Sequence, residues 1–501
     1  MTDSNLGNSS DIKKYTRRFW YLNTAFLVFH LIYINFPELA PQEAYYWNYA
    51  RHLALSYFDH PPMHAWLIYL TTQLGISEFT VRLSAPILAF GTAFLCFQTG
   101  SLLFDVKIGF YFFLTISAIL LYNIGSVILT PDVPLLFFWC LGFYFFVKLI
   151  QTGKAGWWYP LGVCLGLAML SKYTGAFMAL SVCLFIILSK EHRYWLRMKE
   201  PYLAALLSFL VFSPVIIWNA ENNWASFLFQ TSRRAGELGS LSLRHFVAYV
   251  GSQMGVISPL IYGFMWYALG KLTISILRTR DSVRLALFSW SAPTIFFFTL
   301  VALKYWVKMN WLAPGYVAAV LAGTALFFSY RQGENQKLSK QKRRFGLTSL
   351  TLGFIFVALG YASPFLPISL GKGEAIYGWK QLATTVDSIR KEMQADQTII
   401  IGYEYKTASE LAFYLPDRPE VYSNSFVGEK GLAYDYWSRP DQFRGRNAIF
   451  VYDQRNRYKS PEELSQMFDR VEKSSEFKLD KGGKEVTTFH IYKCYGYKGA
   501  D

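Results

Sequence analysis

The chain has 501 residues, 53% hydrophobic, 18% aromatic and only 17% charged. A soluble protein carries roughly 25% charged residues, so this composition argues against a large soluble enzyme and for a membrane protein. The net charge of +15 would suit nucleic acid, but the basic residues fall in short loops between apolar runs, where they set membrane orientation and no nucleic-acid partner is expected. The five cysteines (Cys96, Cys140, Cys164, Cys183, Cys494) show no CxxC spacing, and four lie in apolar runs, so they read as small apolar residues and not as ligands or disulfides.

The N-terminus is polar, then basic, and runs into apolar sequence with no small-residue cleavage pattern. It reads as the start of an uncleaved first span at about 19–36. The stretch Pro37–Trp66 follows, with Glu43, Tyr45, Tyr46, Trp47, Arg51, His52, Asp59, His60 and His64 in close succession. Near-helical spacing over 41–55 predicts an amphipathic interfacial helix, and 64–76 a second interfacial or partly inserted one. Further spans are expected at 82–104, 109–128 and 133–150, the last two joined only by Thr130-Pro131-Asp132. The run 160–189 breaks at Ser171-Lys172-Tyr173-Thr174-Gly175, which predicts two short helices, because a lysine at mid-bilayer is costly. Spans at 201–219, 247–270, 285–303, 310–330 and 345–366 complete about 11 crossings of ~20 residues each. Basic clusters at 13–18, 148–154, 190–199, 271–284 and 337–344 then share one side, the cytoplasmic one. Pro37–Trp66, the break at Lys172, the 219–246 and 304–309 loops, and everything beyond 366 fall outside.

The tail changes character. Thr398–Gly402, Ala448–Tyr452 and Thr487–Tyr492 read as strands; Thr407–Tyr414 and Pro461–Phe468 read as helices, the second capped from Ser460. The expected fold is therefore mainly α: a polytopic membrane helix bundle over 1–366, with interfacial helices, followed by a small periplasmic α/β domain over 367–501. No internal repeat is visible.

The outer loops collect the candidate chemistry: Glu43, Arg51, His52, Asp59, His60, His64, Lys172, Tyr173, Asn219, Glu221, Arg233, Arg234, Lys304, Lys308 and Asn310, with Asp132 among them if its flanking spans cross fully. Many cations converging with a few acids suit an anionic ligand such as a phosphate, and beside membrane helices that phosphate could be a lipid's. Each residue also has a plainer reading. Glu43 could stabilise a helix N-terminus, Arg51 could snorkel, Tyr45, Tyr46 and Trp47 could form an aromatic belt, and Asp132 could cap the following helix. A metal site from Asp59, His60 and His64 is conceivable but lacks a recognised ligand spacing.

Five motifs in order carry a family resemblance across the membrane part. They are Pro41–Trp47 with Tyr57–Pro62 and Val81–Leu83; Thr130–Trp139; Leu170–Gly175; Ser213–Trp224; and Lys308–Pro314. The chain resembles the GT-C class of polyprenyl-phosphate-sugar-dependent glycosyltransferases, in the branch holding protein O-mannosyltransferases and lipid A aminoarabinose transferases (families 39 and 83). The resemblance implies an undecaprenyl-phosphate-linked sugar donor, an active site on the periplasmic face of the bacterial inner membrane, and lipid A or another envelope glycolipid as acceptor. It implies catalytic roles for Glu43 and Gln42, although the family has Asp where this chain has Gln42. A glutamine accepts no proton, which favours an acceptor that is already anionic. Donor-phosphate binding falls to His60 and Lys172, with Asp59 orienting His60 or helping to bind a divalent cation. Substrate contacts fall to Tyr45, Arg51, Tyr173, Asp132, Asn219, Lys308 and Asn310. A protein O-glycosyltransferase is the nearest alternative. A lipid or solute transporter is the alternative of another class, against which stand the apolar mid-span runs.

Overall fold

The computed structural model describes residues 9–233, 236, 239–279, 281–328, 336–368, 376–394, 398–456 and 461–499. Along the chain the helices are α1 Ser9–Tyr33, α2 Pro41–Arg51, α3 Met63–Thr72, α4 Glu78–Arg82, α5 Ser84–Leu103, α6 Val106–Ser117, α7 Leu120–Ile124, α8 Asp132–Thr152, α9 Trp158–Ser171, α10 Phe177–Leu188, α11 Glu200–Glu221, α12 Ala225–Leu228, α13 Leu243–Ile257, α14 Pro259–Thr279, α15 Ser282–Ser289, α16 Ala292–Val301, α17 Ala313–Phe328, α18 Gln336–Ala362, α19 Trp379–Glu392, α20 Glu404–Tyr414 and α21 Pro461–Met467. The strands are β1 Thr398–Gly402, β2 Val421–Tyr422, β3 Asn447–Asp453, β4 Phe468–Lys481 and β5 Lys484–Tyr497. Ser460 and Arg234 lie outside the described residues.

The chain divides into two compact units that do not follow chain order. The first takes residues 1–33, 60–64 and 82–361; the second takes 34–59, 65–81 and 362–501.

The described residues include six helical stretches long and apolar enough to cross a membrane, Glu78–Leu103, Asp132–Thr152, Glu200–Glu221, Pro259–Arg278, Ser282–Val301 and Lys340–Ala362, all within the first unit except residues 78–81 and Ala362. Several expected spans are broken. The 247–270 span divides at Ser258, whose φ of +82° turns the chain just before Pro259; a proline disfavours the helical conformation in the residue before it and brings no N–H of its own. The 285–303 span stops at Ser289 and restarts at Ala292 with Pro293 in its first turn. The 109–128 span ends at Ser117, and α7 stops at Ile124, so the link to α8 is longer than Thr130-Pro131-Asp132 alone. The break at Lys172 is present as expected: that residue is extended (φ −160°, ψ 143°) between α9 and a 3-10 turn over Tyr173–Ala176.

Large aromatic side chains fill the core of this unit. Trp139 and Trp290 meet edge to face at 5.4 Å, with Phe143 and Phe146 against the same indole. Helix α9 lies on α11 through glycines. A Cβ on Gly162 would sit 2.3 Å from the Ala204 carbonyl oxygen, and one on Gly166 2.8 Å from that of Ser208. This is the small-xxx-small spacing by which membrane helices pack backbone to backbone.

The second unit is built on a sheet of order β2-β1-β3-β5-β4, parallel across β2-β1-β3 and antiparallel from β3 through β5 to β4. β1, with the sequence TIIIG, is buried along its whole length, as a central parallel strand should be. β4 and β5 form a long hairpin turning at Gly482 and Gly483, both at positive φ. β4 escapes the sequence reading because it is mostly polar, with half of its residues exposed. Helix α2 also differs from expectation. It does not show one polar face to water: Glu43 to Ala50 are all buried. It packs on α20, with Trp47 edge to face on Phe413 at 5.1 Å, so its spacing reflects burial inside a folded unit.

Candidate active site

Each unit holds part of the expected constellation. In the first unit three separate motifs meet. Asp132 opens α8, but its carboxylate is not spent on a cap. One oxygen accepts from Lys172 Nζ at 2.7 Å and the other from Asn310 Nδ2 at 2.7 Å. The Lys172 side chain is 11% exposed and that of Asp132 17%. Helix α9 must end for Lys172 to reach Asp132, so the break in the run 160–189 serves this pair. Two partners with matched geometry offset the cost of burying a carboxylate.

Asp132 and Asn310 also line a mainly apolar cavity of about 260 Å³ between α1, α5, α7 and α8. Its few polar groups include Asn23, His30 and Asn123. His30 Nε2 lies 2.7 Å from the Tyr361 hydroxyl, which in turn donates to Asn123 Oδ1 at 3.1 Å.

Tyr173 follows the break and shares a 2.6 Å hydrogen bond with Ser226. Asn219 is buried and serves its own helix end. Its side-chain oxygen accepts from the Phe227 N–H at 3.1 Å, and its amide donates to the Val215 carbonyl at 2.9 Å. These bonds hold the turn in which Asn223 and Trp224 adopt positive φ. Lys308 is exposed, while His60 is half-buried and His64 fully buried, their rings 6.0 Å apart. Arg82, in the motif Val81–Leu83, is 1% exposed; its neighbours in sequence gave no sign of that burial.

In the second unit Asp59 is buried, and both the Tyr45 hydroxyl (3.1 Å) and the Tyr49 hydroxyl donate to its Oδ1. Burial, reinforced by the Asp59 charge, pushes both tyrosines well above their ordinary pKa, so they remain donors. Tyr45 is further ringed by Tyr405, Tyr434 and Trp437 at 4.7 to 6.3 Å, and its oxygen accepts from the Ala433 N–H at 3.1 Å. None of these tail residues was accessible to the sequence reading, because nothing local links positions so far apart in the chain.

Glu43 is fully buried and accepts from the Ala40 N–H at 3.0 Å, closing the first turn of α2. Gln42 is half-buried and hydrogen-bonds Tyr405, whose pKa burial pushes up to about 12. Arg51 lies over the Trp47 ring (5.0 Å) and pairs with Glu420 at 2.7 Å, while His52 reaches the other Glu420 oxygen at 3.3 Å.

Burial alone would raise the Glu420 pKa, but the His52 hydrogen bond and the Arg51 and His52 charges more than offset it, and the net shift is downward. A depressed carboxylate adds stability above its unfolded pKa of about 4.3 and loses it as pH falls through the folded value. Stability of the second unit should therefore fall on acidification below about pH 4, and Glu420→Gln should flatten that part of the curve. Thermal unfolding followed as a function of pH checks both.

Among the described residues no group of three or more His, Cys, Asp or Glu is placed to hold a metal ion. The trio Asp59, His60 and His64 does not form such a group.

The model of the dolichyl-phosphate-mannose-protein mannosyltransferase family matches residues 59–218. Lipid A galacturonosyltransferase RgtD of Rhizobium johnstonii is 26% identical over 442 residues, covering 85% of this chain and 89% of that protein. The crystal structure of ArnT from Cupriavidus metallidurans in the apo state superposes with a TM-score of 0.66 at 15% identity, covering 95% of this chain and 98% of that one. ArnT bound to undecaprenyl phosphate gives 0.65 at 14% identity, covering 94% and 97%. The archaeal oligosaccharyltransferase AglB of Archaeoglobus fulgidus gives 0.53 at 12% identity, covering 86% and 69%. The shared fold, the family model matched over residues 59–218 and the relative matched over 442 residues all agree with the resemblance that the five motifs carry to the GT-C class of glycosyltransferases.

Proposed function

We propose that the protein is a multi-pass inner-membrane enzyme that transfers a sugar from an undecaprenyl-phosphate-linked donor to lipid A or another envelope glycolipid at the periplasmic face. On this reading the chain crosses about 11 times, as counted from the apolar runs of its sequence, with the outer loops and the C-terminal domain on that side. The observation that carries the reading is the meeting of Asp132, Lys172 and Asn310 beside an apolar cavity. A cation fixed in place beside room for hydrocarbon suits a lipid phosphate. The relative named for lipid A supports the acceptor, and the ArnT complex with undecaprenyl phosphate supports the carrier.

In this mechanism the bond from the anomeric carbon to the phosphate oxygen breaks, and the electron pair leaves with the polyprenyl phosphate. Lys172 and His60 stabilise that developing charge, which lowers the barrier. Asp132 acts as a positioning residue, holding Lys172 and Asn310. The new bond forms on the opposite face of the sugar, with inversion. Glu43 takes the acceptor proton when the acceptor is a hydroxyl, and no proton moves when it is an ionised lipid phosphate. Gln42 serves the second case, since it can hydrogen-bond an anionic acceptor but not deprotonate one. Asp59, held by Tyr45 and Tyr49, fixes the segment leading to His60. Tyr173, Arg51, Asn219 and Lys308 line or shape the substrate path.

A second reading, transfer to a protein hydroxyl, is favoured only by the family model's description. Mass spectrometry of lipid A and secreted protein from cells with and without the gene separates the two. The expected result is a one-sugar mass difference on lipid A that is absent in a His60→Ala strain expressing the protein at the normal level. The same mass difference on protein, with lipid A unchanged, would overturn the acceptor assignment.

A further inference from the structure

Away from these residues, a second large hollow opens in the first unit where α14, α15, α17 and α18 come together. It is a groove of about 1000 Å³, at the upper end of the roughly 300–1,000 Å³ of ordinary ligand sites. Its walls are aliphatic and aromatic, with Phe264, Leu272, Leu326 and Phe345 among them. Its charged lining consists of Lys271, Arg278, Arg284 and Lys342, and no acidic residue lines it among the described residues.

The arrangement around these cations is specific. Arg284 donates from Nη1 to Ser275 Oγ at 2.5 Å, which ties the first turn of α15 to α14. The nearby acid Asp281 is engaged by its own helix, accepting the Arg284 backbone N–H at 2.9 Å. Lys271 lies over the Tyr267 ring at 5.5 Å. The same stretch of α14 turns apolar side chains outward: Leu277 is 82% exposed, and Tyr267 and Ile274 are each more than half exposed. Such a surface is unsuited to water and suited to hydrocarbon. A basic hollow with apolar walls, at the ends of membrane helices and on the side carrying the basic loops, matches a lipid with an anionic headgroup.

We propose that this groove binds an anionic phospholipid of the leaflet next to the basic loops. Its phosphodiester lies against Lys271, Arg284 and Lys342, and its chains run along the apolar wall. Charge complementarity selects an anionic headgroup over a zwitterionic one, and the exposed Tyr267 and Ile274 of the groove wall select a lipid over free phosphate. The groove uses none of the residues assigned to sugar transfer.

The test is native mass spectrometry of the full-length protein released from nanodiscs of phosphatidylglycerol mixed with phosphatidylcholine. Phosphatidylglycerol should be retained preferentially, and excess inorganic phosphate should not displace it. A surface cation is worth about fivefold in affinity for an anionic membrane, so the triple variant Lys271→Gln/Arg284→Gln/Lys342→Gln should lose on the order of a hundredfold, with sugar transfer retained as the sign of an intact fold. If the triple variant does not insert, Lys271→Gln alone, at an exposed position, should lose about fivefold. Equal retention of the two lipids, or retention by the variants that matches the parent, would overturn the assignment. Displacement by inorganic phosphate would reduce the groove to a simple anion site and overturn its lipid occupant.

Discussion

Replacing Asp132 with alanine should cost roughly 3 kcal/mol of stability and cut sugar transfer by about a hundredfold or more. The substitution strands a largely buried ammonium group and takes away the carboxylate oxygen to which the Asn310 amide donates. Removing one member of a buried pair costs more than removing both, because the survivor keeps its desolvation penalty without its partner. The double variant Asp132→Ala/Lys172→Met should therefore unfold at a higher temperature than Asp132→Ala alone, yet remain inactive. Thermal unfolding in detergent, paired with a transfer assay on the same preparations, reads both quantities. A double variant no more stable than the single one would show that the pair does not hold α8 to the break after α9. A double variant with restored activity would remove Lys172 from donor binding.

Gly162→Leu should be more damaging still to the amount of folded protein. The carbonyl of Ala204 stands 2.3 Å from where the new Cβ would be, and a helix backbone cannot yield as a flexible side chain does. Overpacking of a well-filled interior costs about 1–3 kcal/mol and sometimes more. With two helix backbones forced apart, the upper end applies, and the folded yield in membranes should collapse. Gly156→Ala is the matching control. Nothing lies within 4 Å of its added methyl, and yield and unfolding temperature should match the parent. Fluorescence-detected size exclusion of tagged variants gives the comparison directly.

The membrane bundle could be read from the sequence because lipid imposes a simple rule, about 20 apolar residues for each crossing. The rule weakens where a proline interrupts the run, as at Pro259 and Pro293, since composition stays apolar while the backbone turns. The strands β1, β3 and β5 were legible as apolar runs buried on both faces. Strand β4 was not, because its pairing with β5 comes from a hairpin and not from apolar content. For the site, composition supplied the residue types and the motifs supplied Lys172, Asp132 and Asn310. That one carboxylate serves both of the others is a fact of tertiary packing, as are the tyrosines on Asp59 and the pairing of Arg51 with Glu420.

The division of the chain into interleaved units bears on how the protein is made. The second unit joins residues 34–81, apart from 60–64, to a partner that begins at 362. Helix α2 lies against α20 from more than 350 positions away in sequence. During synthesis the early segment emerges with Tyr45, Tyr46, Trp47 and Tyr49 bare, and it stays so until nearly all the remaining chain has been threaded. Contacts this distant are slow to form, and waiting aromatic surface invites misassembly. The second unit can therefore assemble only once the segments beyond 362 have been made, and a truncation before Glu404 leaves the N-terminal stretch without the helix it packs on.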